Sequence, residues 1–330
     1  MGIKRVIAGW LGLELLFVLL WNSGFIGAEY GLPFTGPYTL LLWRYLALSV
    51  LLGVWVLGRA VASGRWSWPG GRAVGHTAVV GVLAHGVWLG CVLLAIDMEV
   101  PVGIIALVTA LQPLLTGAFS GLVVGERTGA RQWAGLVLGF CGVAIAVGAR
   151  LSVDAETPAL GYLLPFGSVV GITVASLLQR RWTSRGVRTS MPLDTTLLIQ
   201  SVATAAALVW PAWWVEGFAT DWTLPFVATM GWLIVAVSLG AYWSMWRLLA
   251  TQDATRVASL FYLSPPVTML MAWIAFGDQL IPTDVVGLVV AGVGVWLVYR
   301  RVSGVRAEAV DPRLPRGMSE RGEQRAESTD

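Results

Sequence analysis

Long apolar runs separated by short polar loops fill this chain from about residue 8 to residue 300. Most runs are continuous over roughly 18 to 23 residues, which is the length that spans a bilayer as an α-helix. Because they do not alternate between apolar and polar positions, helices are favoured over a closed barrel as the way to satisfy the backbone in lipid. The pattern predicts an all-α polytopic membrane protein. Its ten predicted transmembrane helices cover residues 8–27, 38–58, 74–95, 100–124, 131–149, 159–178, 194–214, 226–248, 255–276 and 283–300.

Composition agrees with this fold class, since 56% of the residues are hydrophobic and only 12% are charged. Cys91 and Cys141 both lie inside apolar runs, so we interpret them as packing residues rather than as a disulfide. The formal net charge of +3 is spread over short loops, which argues against a nucleic-acid partner. Residues 302–330 are polar and rich in charges of both signs, and are predicted to be a disordered cytoplasmic tail.

One stretch of the chain occurs twice: Val100–Gly148 aligns with Gln252–Arg300 without a gap, at an offset of 152 residues. The matching features are Pro113 with Pro265, Gly125-Glu126 with Gly277-Asp278, Gly135-Leu136-Val137 with Gly287-Leu288-Val289, and Gly142-Val143 with Gly294-Val295. We therefore divide the membrane region into two five-helix repeats, residues 1–150 and 151–301. Five is odd, so the second repeat enters the membrane from the opposite side, and the two are predicted to be inverted-topology repeats.

Loop charges predict the orientation of the chain. Basic residues occupy alternate loops, including Lys4, Arg5, Arg59, Arg72, Arg127, Arg180, Arg181, Arg247 and Arg300. The loops between them carry acids, including Glu29, Asp97, Asp154, Glu216, Asp221, Asp278 and Asp284. Only Arg150 breaks this pattern. By the positive-inside rule, both termini are expected in the cytoplasm.

Several of these features resemble the EamA family of the drug/metabolite transporter superfamily. The resemblance is carried by Pro113, Gly125-Glu126-Arg127-Thr128, Gln132-Trp133, Gly135, Gly139 and Gly142-Val143, with a weaker copy at Pro265, Gly277-Asp278, Gly287 and Gly294. Arg44, early in the second span, also fits. The resemblance extends over about residues 8 to 300, and it implies ten helices around a central substrate cavity and the export or exchange of small metabolites. The second copy departs mildly from the family's Gly-Glu pair, because it has Asp278 where the first copy has Glu126.

Two prolines mark the most informative candidate site. Pro113 cannot donate to the carbonyl of Thr109, which leaves that carbonyl free in mid-membrane beside Gln112 and Thr116. In the second copy, Pro265 and Pro266 free the carbonyls of Phe261 and Tyr262 in the same way. Interrupted helices at corresponding points of two repeats indicate a transport site, although two purely structural kinks are the alternative.

Glu14, Arg44 and His85 lie more than a helical turn inside predicted spans, where a charge is costly. Glu14 is a candidate cavity carboxylate that binds a cationic group of the substrate or takes up a proton. The alternative is a residue near the cytoplasmic interface, or one paired with a loop arginine. Arg44 either binds a substrate carboxylate in bidentate fashion or pins neighbouring carbonyls. His85 either relays protons or is a hydrogen-bonded packing residue, as the nearby glycines suggest.

Aromatic residues follow one stripe of the eighth predicted helix, including Tyr242 and Trp246. With Trp21, Trp88 and Tyr262 at comparable depth, they are candidates for a cavity wall that stacks on rings or holds cations. Packing is the alternative interpretation. The predicted substrate-binding set is therefore Glu14, Trp21, Arg44, His85, Thr109, Gln112, Tyr242, Trp246 and Tyr262.

No residue pattern suggests an enzyme, a catalytic residue, a metal site or a cofactor, and no nucleotide-binding motif is present. We predict a secondary transporter of the cytoplasmic membrane that moves a small organic metabolite, amino-acid-like or drug-like, by alternating access. Export is favoured, with protons as a candidate coupling ion. An uptake permease is the alternative within transport, and a non-transporting membrane sensor or assembly protein is the alternative from another class.

Overall fold

The computed structural model describes residues 3–64, 68–124, 130–153, 157–184, 191–251, 257 and 260–299. Its α-helices are α1 (Ile3–Gly31), α2 (Pro37–Ser63), α3 (Gly71–Gly81), α4 (Trp88–Asp97), α5 (Val102–Thr109), α6 (Gln112–Val124), α7 (Ala130–Val153), α8 (Ala159–Ser184), α9 (Leu193–Glu216), α10 (Leu224–Gly231), α11 (Tyr242–Leu249), α12 (Ser264–Phe276) and α13 (Pro282–Tyr299). The predicted tail, the Gly125–Thr128 motif and the start of the ninth predicted span lie outside the described residues.

The described chain is built from helices, with a single isolated bridge between Thr35 and Thr220 in place of any sheet. Eight of its helical stretches are long and apolar enough to cross a membrane, and two shorter apolar helices follow, Phe261–Phe276 and Pro282–Leu297. The expectation of an all-α multi-pass membrane protein is confirmed at this level.

Both proline positions interrupt a helix. α5 ends at Thr109 and α6 begins at Gln112, one residue before Pro113. In the second copy, a 3-10 turn over Phe261–Leu263 leads into α12, which carries Pro265 in its first turn. Proline lacks the amide proton that would continue the preceding helix, and it is well tolerated in a first helical turn.

Two further spans contain π-helical segments, which the periodicity of the sequence did not predict. Val82–Val87 joins α3 to α4, and Trp232–Ala241 joins α10 to α11. The offset of 152 residues that relates the two copies places the first segment within the second. Segments of this kind widen the helix locally and are frequent at functional sites.

α2 and α9 run antiparallel and are tied at both ends. At one end, the Glu216 carboxylate accepts hydrogen bonds from the backbone N–H groups of Tyr38 (3.0 Å) and Thr39 (2.7 Å). These amides lie in the first turn of α2 and have no acceptor within the helix. At the other end, Arg59 Nε lies 2.9 Å from Asp194 Oδ2. A carboxylate at a helix N-terminus is also favoured by the helix dipole.

α7 and α13 also run antiparallel, and they meet through glycines. A Cβ on Gly142 would lie 2.5 Å from the carbonyl oxygen of Gly287, and a Cβ on Gly294 would lie 2.6 Å from that of Gly135. Only glycine therefore allows the two backbones to approach this closely, as is common between helices in membranes.

Arg150, the exception to the alternation of loop charges, is paired within the protein. Its Nη2 lies 2.6 Å from Asp284 Oδ2 and donates to the carbonyl of Gln279 at 2.8 Å, and the Asp284 side chain is fully buried. The Asp284 carboxylate also accepts the backbone N–H of Ile281 at the start of α13. Because its charge is neutralised by this pairing, Arg150 carries little information about orientation.

Asp278 lies beside this ion pair, in the loop between α12 and α13. Burial raises the pKa of its carboxyl above the usual range, and the nearby Arg150 offsets part of that rise. Its counterpart in the first copy, Glu126, falls outside the described residues.

α5 is the most enclosed helix and lies at the centre of the core. Every residue from Val102 to Val108 is buried. A helix that is apolar on all sides can be accommodated only where other helices surround it, and α5 packs against α8 and α12. This central placement brings the break after Thr109 into the interior of the protein.

Candidate functional site: a central cavity

A cavity of about 350 Å³ lies at the break between α5 and α6. α1 and the span containing α3 and α4 form one side, α8 forms another, and α11 and the Phe261–Leu263 turn complete it. Thr109, Gln112 and Pro113 line it from the first copy, and Phe261 and Ser264 from the second. Both helix breaks therefore contribute to one cavity.

One wall of this cavity is aromatic. Trp21 on α1 stacks on Trp88 of α4, with ring centroids 6.0 Å apart and an interplanar angle of 22°. The Trp21 ring also packs against Phe261 in a T-shaped arrangement and against Tyr242 at a tilt, with centroid distances of 5.0 and 5.9 Å. Each ring restricts its neighbours, so the wall offers a pre-formed apolar surface to a ligand.

Another part of the lining is polar and, among the described residues, contains no acidic side chain. Gln112 Nε2 donates to Thr116 Oγ1 at 3.4 Å, and the Thr109 hydroxyl donates to the carbonyl of Ala106 at 3.0 Å. Ser176 of α8 and Ser264 of α12 add hydroxyl groups. These groups can donate and accept hydrogen bonds, as needed to orient a small polar molecule in an otherwise apolar pocket.

His85 lies where the polar and aromatic sides meet. Its ring is buried between Tyr45 and Tyr242, at centroid distances of 5.4 and 6.3 Å. Nε2 lies 3.2 Å from the side-chain oxygen of Gln200 on α9. With the Gln200 oxygen as the acceptor, the Nε2–H of His85 donates this hydrogen bond.

A smaller pocket of about 50 Å³ adjoins the cavity and shares Trp21, Trp88 and Tyr242 with it. Arg44 of α2 lines this pocket and is only 6% exposed. Its Nε donates to Ser238 Oγ at 3.0 Å, and the Ser238 hydroxyl donates to the carbonyl of Leu233 at 3.0 Å, five residues back in the π-helical segment. The Arg44 guanidinium thus connects α2 to the span of α10 and α11.

The sequence profile of the EamA-like transporter family matches the chain twice, over residues 8–148 and 159–300. The chain belongs to this family. The resemblance drawn from the proline and glycine motifs is therefore confirmed, and the two matches correspond to the two copies of the repeat.

Relatives of this EamA-like protein are named as transporters. An uncharacterized transporter, YvbV, of Bacillus subtilis (strain 168) is 28% identical over 215 residues, which cover 64% of this chain and 67% of the relative. A "probable terminal-alkyne amino-acid exporter" of Streptantibioticus cattleyicolor is 27% identical over 305 residues, covering 90% and 96%. A crystal structure described only as that of a protein shares the fold, with a TM-score of 0.59 at 20% identity, over 90% of this chain and 99% of the other.

Six of the side chains predicted to bind substrate in this EamA-like protein line the cavity or the adjoining pocket. They are Trp21, Arg44, His85, Thr109, Gln112 and Tyr242. The other three are placed elsewhere. Glu14 lies half-buried two turns before Trp21 on α1, Trp246 is 42% exposed, and Tyr262 lies in the 3-10 turn beside the lining residue Phe261.

One lining residue of the eighth span, Met245, was missed because the i+3 and i+4 neighbours of Tyr242 lie on the same side of an α-helix. Met245 lines the cavity, whereas Trp246 does not, so the cavity lies on the i+3 side of Tyr242 rather than on the i+4 side. Ser238 and Gln200 line neither the cavity nor the adjoining pocket, and they were missed because their partners, Arg44 and His85, lie on distant helices.

Proposed function

We propose that this protein is a secondary transporter that carries a small organic metabolite across the cytoplasmic membrane by alternating access. The observation that supports this most is the convergence of the two proline breaks on one cavity. Interrupted helices at matching positions of two repeats are the usual construction of transporter sites near the bilayer midplane. Alternating access then requires the two repeats to rock around that site.

The packing of equivalent helices supports ten crossings in two inverted repeats, residues 1–150 and 151–301. The second spans of the two repeats, α2 and α9, lie antiparallel, and so do the fifth spans, α7 and α13. The first span of each repeat packs against the third span of the other, α1 against α10–α11 and α8 against α3–α4. Equivalent helices that run in opposite directions are expected of an inverted repeat.

An even total of ten crossings leaves both termini on the same side, and the loop charges favour the cytoplasm. In a variant with Cys91 and Cys141 replaced by serine, a cysteine introduced at Arg181 should react with a membrane-impermeant maleimide only in inside-out vesicles. A cysteine at Asp221 should react in intact cells. Labelling in the reverse pattern would contradict this orientation.

For the substrate, we propose an amino-acid-like metabolite, and for the direction, export. Two relatives carry names that refer to amino-acid export, a "probable terminal-alkyne amino-acid exporter" and a "probable amino-acid metabolite efflux pump". The cavity combines an aromatic wall with amide and hydroxyl groups at about the volume of a small ligand. The nine predicted residues remain the proposed substrate-binding set, with Trp21, His85, Thr109, Gln112 and Tyr242 in the cavity itself.

The test of transport is counterflow in proteoliposomes. Vesicles loaded with unlabelled phenylalanine and diluted into radiolabelled phenylalanine should accumulate label transiently above the level of protein-free vesicles. Leucine, methionine and a terminal-alkyne amino acid serve as further substrates. Counterflow of none of these compounds would contradict the proposed substrate class, and metabolite profiles of medium and cells with and without overexpression would then show whether any solute is moved.

Proton coupling is a separate part of the proposal and rests on His85, which lines the cavity, with Glu14 as the second candidate. In inside-out vesicles, whose lumen corresponds to the outside of the cell, an acidic lumen should accelerate the uptake of substrate, because protons leave the lumen as substrate enters it. Replacing the residue responsible should abolish that acceleration and leave substrate binding measurable, because only the proton path is lost. If the same acceleration persists in both Glu14→Gln and His85→Ala, neither residue carries the proton.

A further inference from the structure

Arg44 is a buried cation whose counter-charge is missing from the described part of the chain. The ion pairs Arg59–Asp194 and Arg150–Asp284 do not involve it. Its contacts are the hydroxyl of Ser238 at Nε and the ring of Tyr45, 6.0 Å from the guanidinium carbon. Neither partner carries a negative charge.

A guanidinium in this position keeps its charge, because it does not deprotonate in proteins. Burying an unpaired charge costs several kcal/mol, and a ring face recovers only part of that cost. Structural pinning, the alternative role for Arg44, would be served by a neutral donor without this cost. The charge therefore points to a ligand that supplies the missing anion.

The surroundings of Arg44 define that ligand further. With Nε bonded to Ser238, the two terminal nitrogens remain, and they can hold a carboxylate. The pocket around Arg44 shares its aromatic residues Trp21, Trp88 and Tyr242 with the main cavity. No carboxylate side chain is among the residues that line either pocket in the described chain.

We propose that Arg44 and Ser238 form a carboxylate-binding subsite, and that the substrate is a monocarboxylate whose apolar group packs on the wall of Trp21, Trp88 and Tyr242. This rests on the proposed transport function and narrows its substrate class. An ammonium group, where the substrate has one, is bound by hydroxyl and carbonyl oxygens and ring faces. Ser238 is a positioning residue, since it holds Nε and orients the guanidinium.

The test compares three probes with the same phenyl group and similar size on the purified full-length protein by isothermal titration calorimetry. Phenylalanine carries both charges, 3-phenylpropionate only the carboxylate, and phenylalaninamide only the ammonium. We expect the two carboxylates to bind at least about 30-fold more tightly than the amide. Arg44→Gln should remove this preference, Arg44→Lys should keep part of it, and Ser238→Ala should weaken it without abolishing it.

Arg59→Gln is the matched control, because Arg59 pairs with Asp194 away from both pockets, and it should keep the full preference. Equal affinity of the parent protein for 3-phenylpropionate and phenylalaninamide would overturn the subsite even if Arg44→Gln failed to fold, and so would binding of none of the probes. Carboxylate-selective binding without counterflow would refute transport and leave the subsite standing. Counterflow of phenylalaninamide as fast as that of phenylalanine would refute the carboxylate-binding subsite and leave the proposed transport function standing.

Discussion

Replacing Asp284 with alanine is expected to lower the free energy of unfolding by about 3 to 5 kcal/mol. The substitution removes the carboxylate that pairs with Arg150 at 2.6 Å, and the Arg150 side chain is only 12% exposed. It also removes the acceptor for the backbone N–H of Ile281 at the start of α13. The measurement is denaturant or thermal unfolding of purified protein in one detergent, followed by the loss of monodisperse protein.

Asp194→Ala is the control for this substitution. Its partner Arg59 is 44% exposed, so screening by solvent limits the loss to about 0 to 1 kcal/mol. The double variant Arg150→Met/Asp284→Leu should recover most of the stability lost by Asp284→Ala, since the charge is removed with its partner. Similar losses for Asp284→Ala and Asp194→Ala would mean that the buried ion pair does not stabilise the junction of α7 and α13.

Gln112→Leu is expected to weaken substrate binding by roughly 5- to 150-fold, which corresponds to about 1 to 3 kcal/mol for a buried hydrogen bond to substrate. Gln112 lies at the start of α6, on the lining of the cavity, and its amide reaches only Thr116 at a long 3.4 Å. The amide is thus available to a ligand. Affinity can be read from the substrate dependence of counterflow or from a direct binding titration.

The matched control for Gln112→Leu is Val137→Leu on α7. Val137 is 59% exposed on the outer surface of the bundle, so a leucine there should leave affinity unchanged. Both variants should remain folded, because a leucine is tolerated at either position. Parent-like affinity in Gln112→Leu would move the binding site away from the break between α5 and α6.

The parts of the fold that were predictable follow from strong local constraints. Apolar length predicted the spans, since a helix in lipid needs about 20 apolar residues. Proline predicted both helix breaks, because the lost N–H is a property of the residue itself. The glycines of the repeat were visible as a pattern, but their role in the close contact between α7 and α13 needed coordinates.

Other parts depend on contacts between distant segments. The π-helical segment before Tyr242 changes the residues-per-turn count, so a stripe read with a period of 3.6 does not trace the cavity wall across it. The pairing of Arg150 with Asp284 joins residues 134 apart in the chain. The bond from Arg44 to Ser238 spans 194 residues. No periodicity within one helix can reveal such partners.

The glycine contact between α7 and α13 has a bearing on how such a chain could arise. Gly142 contacts Gly287, and Gly294 contacts Gly135. Because Gly142 corresponds to Gly294 in the repeat and Gly135 to Gly287, exchanging the two copies turns each contact into the other. A polypeptide of five helices would therefore carry both halves of the contact and could form it with a second copy inserted the other way up. Joining two such genes removes the need for one product to insert in both orientations. It also frees each copy to diverge, as Ala291 has done where the first copy keeps Gly139.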